Sequence, residues 1–65
     1  MSFHRFAIDL YETRQKAGLS LRALAGEIAV PRNVIWQAER GSMPRTDHFL
    51  RLCEWIGVDP GRYGE

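Results

Sequence analysis

The stretch SLRALAGEIAVPRNVIWQAERG, residues 20–41, carries the strongest structural signals in this chain. Ser20 is a favourable N-cap, and the residues that follow it place apolar side chains at helical spacing. Pro31 cannot continue that helix, but it fits the first turn of a new one. Gly41 is a natural helix end. The stretch therefore predicts two short helices joined by a tight turn: residues 21–28 and residues 31–40.

Helical patterns continue on both sides of this pair. Before it, an apolar stripe predicts a helix over about residues 3–16, ended by Gly18. After it, Thr46 is the expected N-cap of a helix over residues 47–56, followed by a short turn near residues 59–63. The stripe of the first helix comprises Phe3, Phe6, Ala7, Leu10 and Ala17, and that of the fourth comprises Phe49, Leu52, Cys53 and Ile56. We expect one all-α domain of five short helices spanning the 65 residues.

The placement of charge is more informative than its sum. The formal net charge is only +1, and 26% of the residues are charged. Eight of the nine basic residues are Arg, whose planar guanidinium suits phosphates and guanine edges. Residues 31–45 contain Arg32, Arg40 and Arg45 against a single acid, Glu39. A local basic patch on a nearly neutral chain is therefore expected.

Several features favour a cytoplasmic protein without membrane contact. No apolar run approaches the roughly 18 residues that a membrane span needs. The first residues lack the apolar stretch of a secretory signal. Cys53, the single cysteine, permits no internal disulfide and suits a reducing compartment.

Two short helices joined by a tight turn are the minimum unit that places a helix in the major groove of DNA. The second helix of this pair turns Ile35 and Ala38 inward, which leaves the opposite side free to face a ligand. Arg pairs with guanine, and Asn or Gln with adenine, through bidentate hydrogen bonds in that groove. The candidate base readers on the outer side are Arg32, Asn33, Trp36 and Gln37.

Trp36 has two interpretations. Its indole is bulky for the floor of a groove, although it can pack on a thymine methyl group. Alternatively, Trp36 is partly buried against the preceding helix or against the loop that contains Met43. The residues alone leave both interpretations open.

The sequence resembles the helix-turn-helix of lambdoid phage repressors, Cro proteins and related xenobiotic-response-element-type bacterial regulators. The resemblance covers residues 6–63, and its most specific parts end the third and fourth helices. The matching residues are Leu19-Ser20, Leu24-Ala25, Val30, Ile35, Glu39-Arg40-Gly41, Pro44, Phe49, Leu52-Cys53 and Ile56-Gly57-Val58. The resemblance implies a lambda-repressor-like all-α domain that regulates transcription by binding a palindromic operator in double-stranded DNA, usually as a dimer.

The resemblance also implies a structural ion pair between Arg14, late in the first helix, and Glu39, at the end of the third. Three positions depart from the family pattern. Leu21 stands where the family commonly has Gln, Ala29 where the turn usually has Gly, and Pro31 where Ser or Thr often caps the third helix. These departures weaken the transfer of individual DNA contacts more than they weaken the fold.

Contacts to DNA phosphates are expected on either side of the outward face of the third helix. Backbone N–H groups at helix N-termini and Arg side chains both bind phosphate. The candidates are Ser20, Arg22, Arg40, Arg45 and Thr46.

A homodimer on DNA is expected, because two recognition helices about 34–36 Å apart read successive major grooves. The resemblance places the interface at the end of the fourth helix and beyond it. The candidates are Trp55, Val58 and Pro60, with Trp55 exposed. Tyr63 is expected to fold back over the core instead.

Other functional classes find less support. The chain shows no catalytic constellation and no metal-ligand cluster, so we expect no enzyme activity, no metal and no cofactor. The main alternative is a protein-interaction module of the antirepressor or antitoxin type, which binds a regulatory protein partner. The bulky Trp36 and the low net charge favour that alternative somewhat.

Overall fold

The computed structural model describes residues 3–63, with the side chain of Phe3 excepted. Within that range the chain is all-α, with four α-helices, one short 3-10 helix and no strand. The elements are α1 Phe3–Ala17, α2 Leu21–Ile28, α3 Arg32–Glu39, α4 Thr46–Ile56 and the C-terminal 3-10 helix Pro60–Tyr63. The all-α prediction is confirmed for these residues, and the fifth element is a single 3-10 turn. The predicted place of Phe3 on the stripe of α1 lies outside the described side chains.

The helix ends follow local chemistry at most positions. Ser20 caps α2, since its Oγ accepts a hydrogen bond from the backbone N–H of Ala23 at 3.0 Å. Gly18 and Gly57 end α1 and α4 in the left-handed region, with φ of 71° and 91°.

The prediction that Thr46 caps α4 is wrong. Arg45 is the N-cap, and Thr46 is the first helical residue. The extended backbone of Arg45 already supplies its carbonyl oxygen to the N–H of Phe49 at 2.8 Å, so the helix begins one residue earlier than expected. No side chain caps this end of α4.

The core lies where the helices converge, and it takes most of the expected apolar side chains. Arg14 is buried one turn after Leu10, and it continues the stripe of α1. Ala17, predicted on that stripe, is exposed, so the stripe ends at Arg14. The buried hydrophobic residues are Phe6, Ala7, Leu10, Leu24, Val30, Ile35, Ala38, Leu52, Cys53 and Tyr63.

Tyr63 closes the core, as predicted. Its ring packs edge-on against Phe6, with the ring centroids 5.2 Å apart, and Phe6 packs in the same way on Phe49 at 5.0 Å. The hydroxyl of Tyr63 donates a hydrogen bond to the carboxylate of Asp9 at 2.7 Å, and Arg62 contacts the same carboxylate at 3.3 Å. These contacts attach the C-terminal 3-10 helix to α1.

The turn between α2 and α3 is held from two sides. Ala29 has φ 58° and ψ 42°, the left-handed conformation in which a side chain causes strain. The carbonyl oxygen of Ala29 accepts a hydrogen bond from the guanidinium of Arg51 on α4 at 2.9 Å. The N–H of Val30 donates to the carbonyl oxygen of Ala25 at 3.3 Å. The start of α3 is therefore fixed relative to α2 by backbone bonds and by α4.

Candidate nucleic-acid interface

The outer side of α3 presents four exposed side chains, which we call the α3 face: Arg32, Asn33, Trp36 and Gln37. All four residues are exposed, while Ile35 and Ala38 on the opposite side are buried in the core. Within residues 3–63, no hydrogen bond or ion pair engages the side chains of Arg32, Asn33 or Gln37. Their donors and acceptors are therefore available to a ligand.

A shallow groove brings several of the predicted contact residues together. It runs between the start of α2 and the first turns of α3. Its lining comprises Arg14, Ser20, Leu21, Arg22, Arg32, Asn33 and Trp36. The groove thus places two of the phosphate candidates beside three of the base-reading candidates. Gln37 follows one helical turn after Asn33 on the same exposed side.

The start of α2 offers donors to an anion. The hydroxyl oxygen of Ser20 uses its acceptor capacity on the N–H of Ala23. The N–H groups of Leu21 and Arg22 belong to the first helical turn, where no intrahelical acceptor exists. Together with the guanidinium of Arg22 they form a site suited to phosphate. Leu21 contributes only its backbone N–H and an apolar wall.

Arg14 and Glu39 form a two-pronged ion pair between α1 and α3. Nε and Nη2 of Arg14 donate to the two oxygens of Glu39 at 2.6 and 2.9 Å, and Nη1 donates to the carbonyl oxygen of Leu19 at 2.9 Å. Both side chains are about nine-tenths buried, with 10% and 9% exposure. The hydrogen bond with Glu39 raises the pKa of Arg14 above its ordinary value. The pair fixes the end of α3 against α1.

This ion pair also changes the charge of the interface. The carboxylate of Glu39 is paired with Arg14, so Glu39 is not available to pair with Arg32 or Arg40. Arg22 and Arg32 have no carboxylate partner within the described chain. The local positive potential is therefore stronger than the net charge of +1 suggests.

Arg45 and Thr46 do not join the groove. Arg45 pairs with Asp47 of its own helix turn, with Nε 3.2 Å from the carboxylate, and both side chains are exposed. Thr46 is exposed at the start of α4. These two residues form a separate and partly neutralised contact point.

Trp36 lies outside the hydrophobic core. It leaves 48% of its surface exposed, and the rest lies in the groove that Leu21 and Arg22 of α2 also line, so the indole is half-buried beside α2 and still open to a ligand. The guanidinium of Arg40 lies over its ring, with the central carbon 4.6 Å from the centroid of the indole. Arg40 is thereby placed beside the α3 face.

The predicted dimer patch is less exposed than expected. Trp55 is partly buried and packs against the core, because α2 brings Ile28 alongside it in a small depression at the end of α4. Val58 is likewise packed on the core, and Pro60 is only partly exposed. The exposed large hydrophobic residues are Ile8, Tyr11, Trp36, Met43 and Leu50.

Arg51 is a residue that the sequence alone did not single out. It fixes the turn between the two helices from 22 positions further along the chain. The sequence offered a hint of the left-handed Ala29 only through the resemblance, in which Gly usually stands at this turn position. The hydrogen bond from Arg51 to the carbonyl oxygen of Ala29, by contrast, joins residues 22 positions apart and has no local sequence signal.

The described residues form neither a reactive cysteine site nor a metal site. Cys53 has no exposed surface, and burial raises the pKa of its thiol to about 11, which leaves it a poor nucleophile. Across residues 3–63, no group of three or more His, Cys, Asp or Glu side chains is placed to hold a metal ion. None of the helices in that range has the length and apolar character that a membrane crossing requires.

Comparison with known proteins finds no match for this chain among protein-family models, curated proteins or solved structures.

Proposed function

We propose that this chain is a sequence-specific DNA-binding transcriptional regulator with a lambda-repressor-like fold. Its α3 helix lies in the major groove, and α2 lies across the DNA backbone. The observation that carries the proposal is the α3 face: Arg32, Asn33 and Gln37 are exposed and unengaged beside the open N-terminus of α2. An α-helix fits the major groove, and these residue types suit base edges there.

Each polar residue of the α3 face has a proposed role. Arg32 donates two hydrogen bonds to a guanine, and Asn33 and Gln37 each form a donor–acceptor pair with an adenine. Each such contact contributes about 1–3 kcal/mol of discrimination against the wrong base.

The phosphate contacts position α3 without reading sequence. Ser20, Arg22 and the first N–H groups of α2 hold one phosphate of the groove edge. Arg40 holds another at the far end of α3. Arg45 and Thr46 at the start of α4 hold a third phosphate, and this contact requires Arg45 to leave its ion pair with Asp47.

The proposed regulator is a small Cro-like or prophage-type repressor that acts in the cytoplasm of a bacterium or of a phage-infected host. It binds a palindromic operator as a homodimer formed on DNA. The dimer contact uses the exposed remainder of Trp55, Val58 and Pro60. Because this remainder is small, the free chain is monomeric at low concentration and dimerises on the operator.

The test is selection of binding sites from a pool of random duplexes, followed by affinity measurements at several salt concentrations. We expect one enriched palindrome and a steep linear fall of log affinity with log salt. Arg32→Ala should lose discrimination at one base position, by about 1–3 kcal/mol. Arg5→Ala is the charge-matched control, because Arg5 is exposed on α1 and forms only a loose 3.9 Å pair with Asp9.

Two results would contradict the proposal. One is a chain that enriches no duplex. The other is an Arg32→Ala variant that binds the selected site as tightly and as selectively as Arg5→Ala. Either result would favour the protein-interaction alternative, in which the exposed Trp36 binds a regulatory protein instead.

A further inference from the structure

Arg40 and Trp36 form a stack at the end of α3 that the roles above do not explain. The two residues are four positions apart, so they lie one above the other on the same side of the helix. The guanidinium carbon of Arg40 is 4.6 Å from the centroid of the indole ring, a distance at which a cation is attracted to the ring face. Both residues are exposed to solvent.

The carboxylate closest to Arg40 in sequence is unavailable to it. Glu39 binds Arg14 through both of its oxygens, at 2.6 and 2.9 Å, and it is about nine-tenths buried. Within residues 3–63, no carboxylate forms an ion pair with Arg40. The charge of Arg40 is therefore free for a ligand, and the indole of Trp36 is the aromatic face on which its guanidinium lies.

Stacking on the indole leaves the N–H donors of the Arg40 guanidinium accessible to a ligand. The group is planar, and its five N–H donors point outward in that plane. An aromatic ring packed on the face of a guanidinium leaves the N–H edge open to a ligand. The side chain of Arg40 also loses part of its rotamer freedom to the stack before any ligand arrives, which lowers the entropic cost of binding.

The position of the stack indicates which ligand group it meets. In a helix that lies in the major groove, the N-terminal residues contact base edges. Arg40 is the C-cap of α3, at the opposite end from Arg32 and Asn33. The C-terminal end of such a helix leads out of the groove towards the sugar–phosphate backbone.

We infer that Trp36 is a positioning residue, which holds Arg40 edge-on for a backbone phosphate at the end of the groove. This inference rests on the proposed function and changes one part of it. Trp36 then contributes to affinity at every sequence, and it reads no base. The competing role is direct contact of the indole with a thymine methyl group.

The stack itself is tested in the free protein by NMR. The ring current of Trp36 should shift the side-chain Nε–H signal of Arg40. We expect Trp36→Leu to abolish that shift and Trp36→Phe, which keeps an aromatic face, to retain part of it. An Arg40 signal that is the same in the wild type and in Trp36→Leu would show that the stack does not exist in solution. Because Trp36 lies outside the core, these variants should fold, and a thermal melt checks this.

The phosphate role is tested on the selected duplex. Arg40→Ala should weaken binding uniformly across sequences and reduce the salt slope by about one. Trp36→Leu should weaken binding by about two- to five-fold without changing the slope. Arg40→Ala removes the group that Trp36 is proposed to position, so in that background Trp36→Leu should have no further effect.

Replacing thymine by uracil in the duplex separates the two roles of Trp36. We expect wild-type affinity to be unchanged by loss of the methyl groups in the sites nearest α3. If the replacement costs as much as Trp36→Leu does, or if Arg40→Ala leaves the salt slope unchanged, the inference is overturned while the proposed function stands. If the wild type binds no duplex at any salt concentration, the proposed function fails and the phosphate role fails with it.

Discussion

At the scale of single residues, Arg14 holds the end of α3 in place by hydrogen bonds to two other segments of the chain. Its guanidinium satisfies both oxygens of Glu39 and the carbonyl oxygen of Leu19. The end of α1, the loop before α2 and the end of α3 therefore meet at one side chain.

We expect Arg14→Ala to lower the free energy of unfolding by about 3–5 kcal/mol. The reason is that Glu39 would keep a buried charge without its partner. Urea denaturation measures the change. The free energy of unfolding of a chain of this length is only about 3–10 kcal/mol. We therefore expect Arg14→Ala to leave a large fraction of the chain unfolded.

A double substitution keeps that prediction testable. Arg14→Met combined with Glu39→Leu removes both charges and fills similar volumes, so it should recover most of the lost stability. Arg5→Ala, in an exposed pair, should change the free energy of unfolding by less than about 1 kcal/mol. If Arg14→Ala were no more destabilising than Arg5→Ala, the ion pair would not be structural.

Ala29 is a strained residue, since a Cβ group in the left-handed region meets the following carbonyl oxygen. We expect Ala29→Gly to raise the free energy of unfolding by about 0.5–1 kcal/mol, the relief of strain less the added entropy of an unfolded Gly. Chemical denaturation measures this gain. Gly57→Ala is the matched reverse change, because Gly57 also has a positive φ of 91°. It should destabilise the chain by about 1 kcal/mol or more, and equal signs for the two variants would refute the argument.

At the scale of elements, α4 acts as a brace for the helix pair. Arg51 donates from α4 to the carbonyl oxygen of Ala29, and Leu52 and Cys53 fill the core beneath. The angle between α2 and α3 is therefore supported by a helix that does not touch the groove. The side chains of the α3 face are therefore not needed to hold α2 and α3 together.

We expect Arg51→Ala to lower the free energy of unfolding by about 0.5–1.5 kcal/mol, the usual net contribution of one hydrogen bond. The measurement is urea denaturation alongside Arg22→Ala. Arg22 is exposed and forms no ion pair in the described chain, so its loss should change stability by less than about 0.5 kcal/mol. Indistinguishable effects of the two substitutions would mean that the contact with Ala29 adds nothing.

The helix boundaries were largely predictable, because their signals are local. Ser20, Pro31 and the glycines act through their own backbone geometry, and the structure places the helix ends within one or two residues of the predictions. The cap of α4 was mispredicted, since Arg45 supplies a backbone carbonyl and no side chain is needed. A rule based on side-chain type cannot detect that.

The candidate site was predictable only in part. The outward side of α3 follows from helical spacing, and the structure exposes all four of its residues. The contacts of Trp36 with Arg40 and of Arg51 with Ala29 depend on side-chain direction and on the packing of α4. Trp55 was misjudged for a similar reason, because its neighbour Ile28 comes from another helix.

At the scale of the whole molecule, the fold is expected to lose stability at alkaline pH. Burial keeps the Cys53 thiol protonated in the folded chain up to a pKa of about 11. A thiol in the unfolded chain has the ordinary cysteine pKa of about 8.5. Unfolding therefore releases a proton between these two pH values, and the free energy of unfolding falls as the pH rises through them.

Thermal melts between pH 8 and pH 11 measure this loss. We expect Cys53→Ala to have a shallower dependence on pH in this range, whatever its stability at neutral pH. Burial also raises the pKa of Tyr63, which adds to the loss at the alkaline end of the range. Identical pH slopes for the wild type and Cys53→Ala would exclude a contribution from the thiol.

The contact of Tyr63 with Phe6 and Asp9 has a consequence for how the chain is made. The first helix leaves the ribosome early, but the ring that covers Phe6 arrives 57 residues later. Until residue 63 has emerged, the nascent chain exposes an aromatic surface that later becomes core. We expect that surface to attract chaperones during synthesis, and a chain cut before residue 63 would keep it exposed.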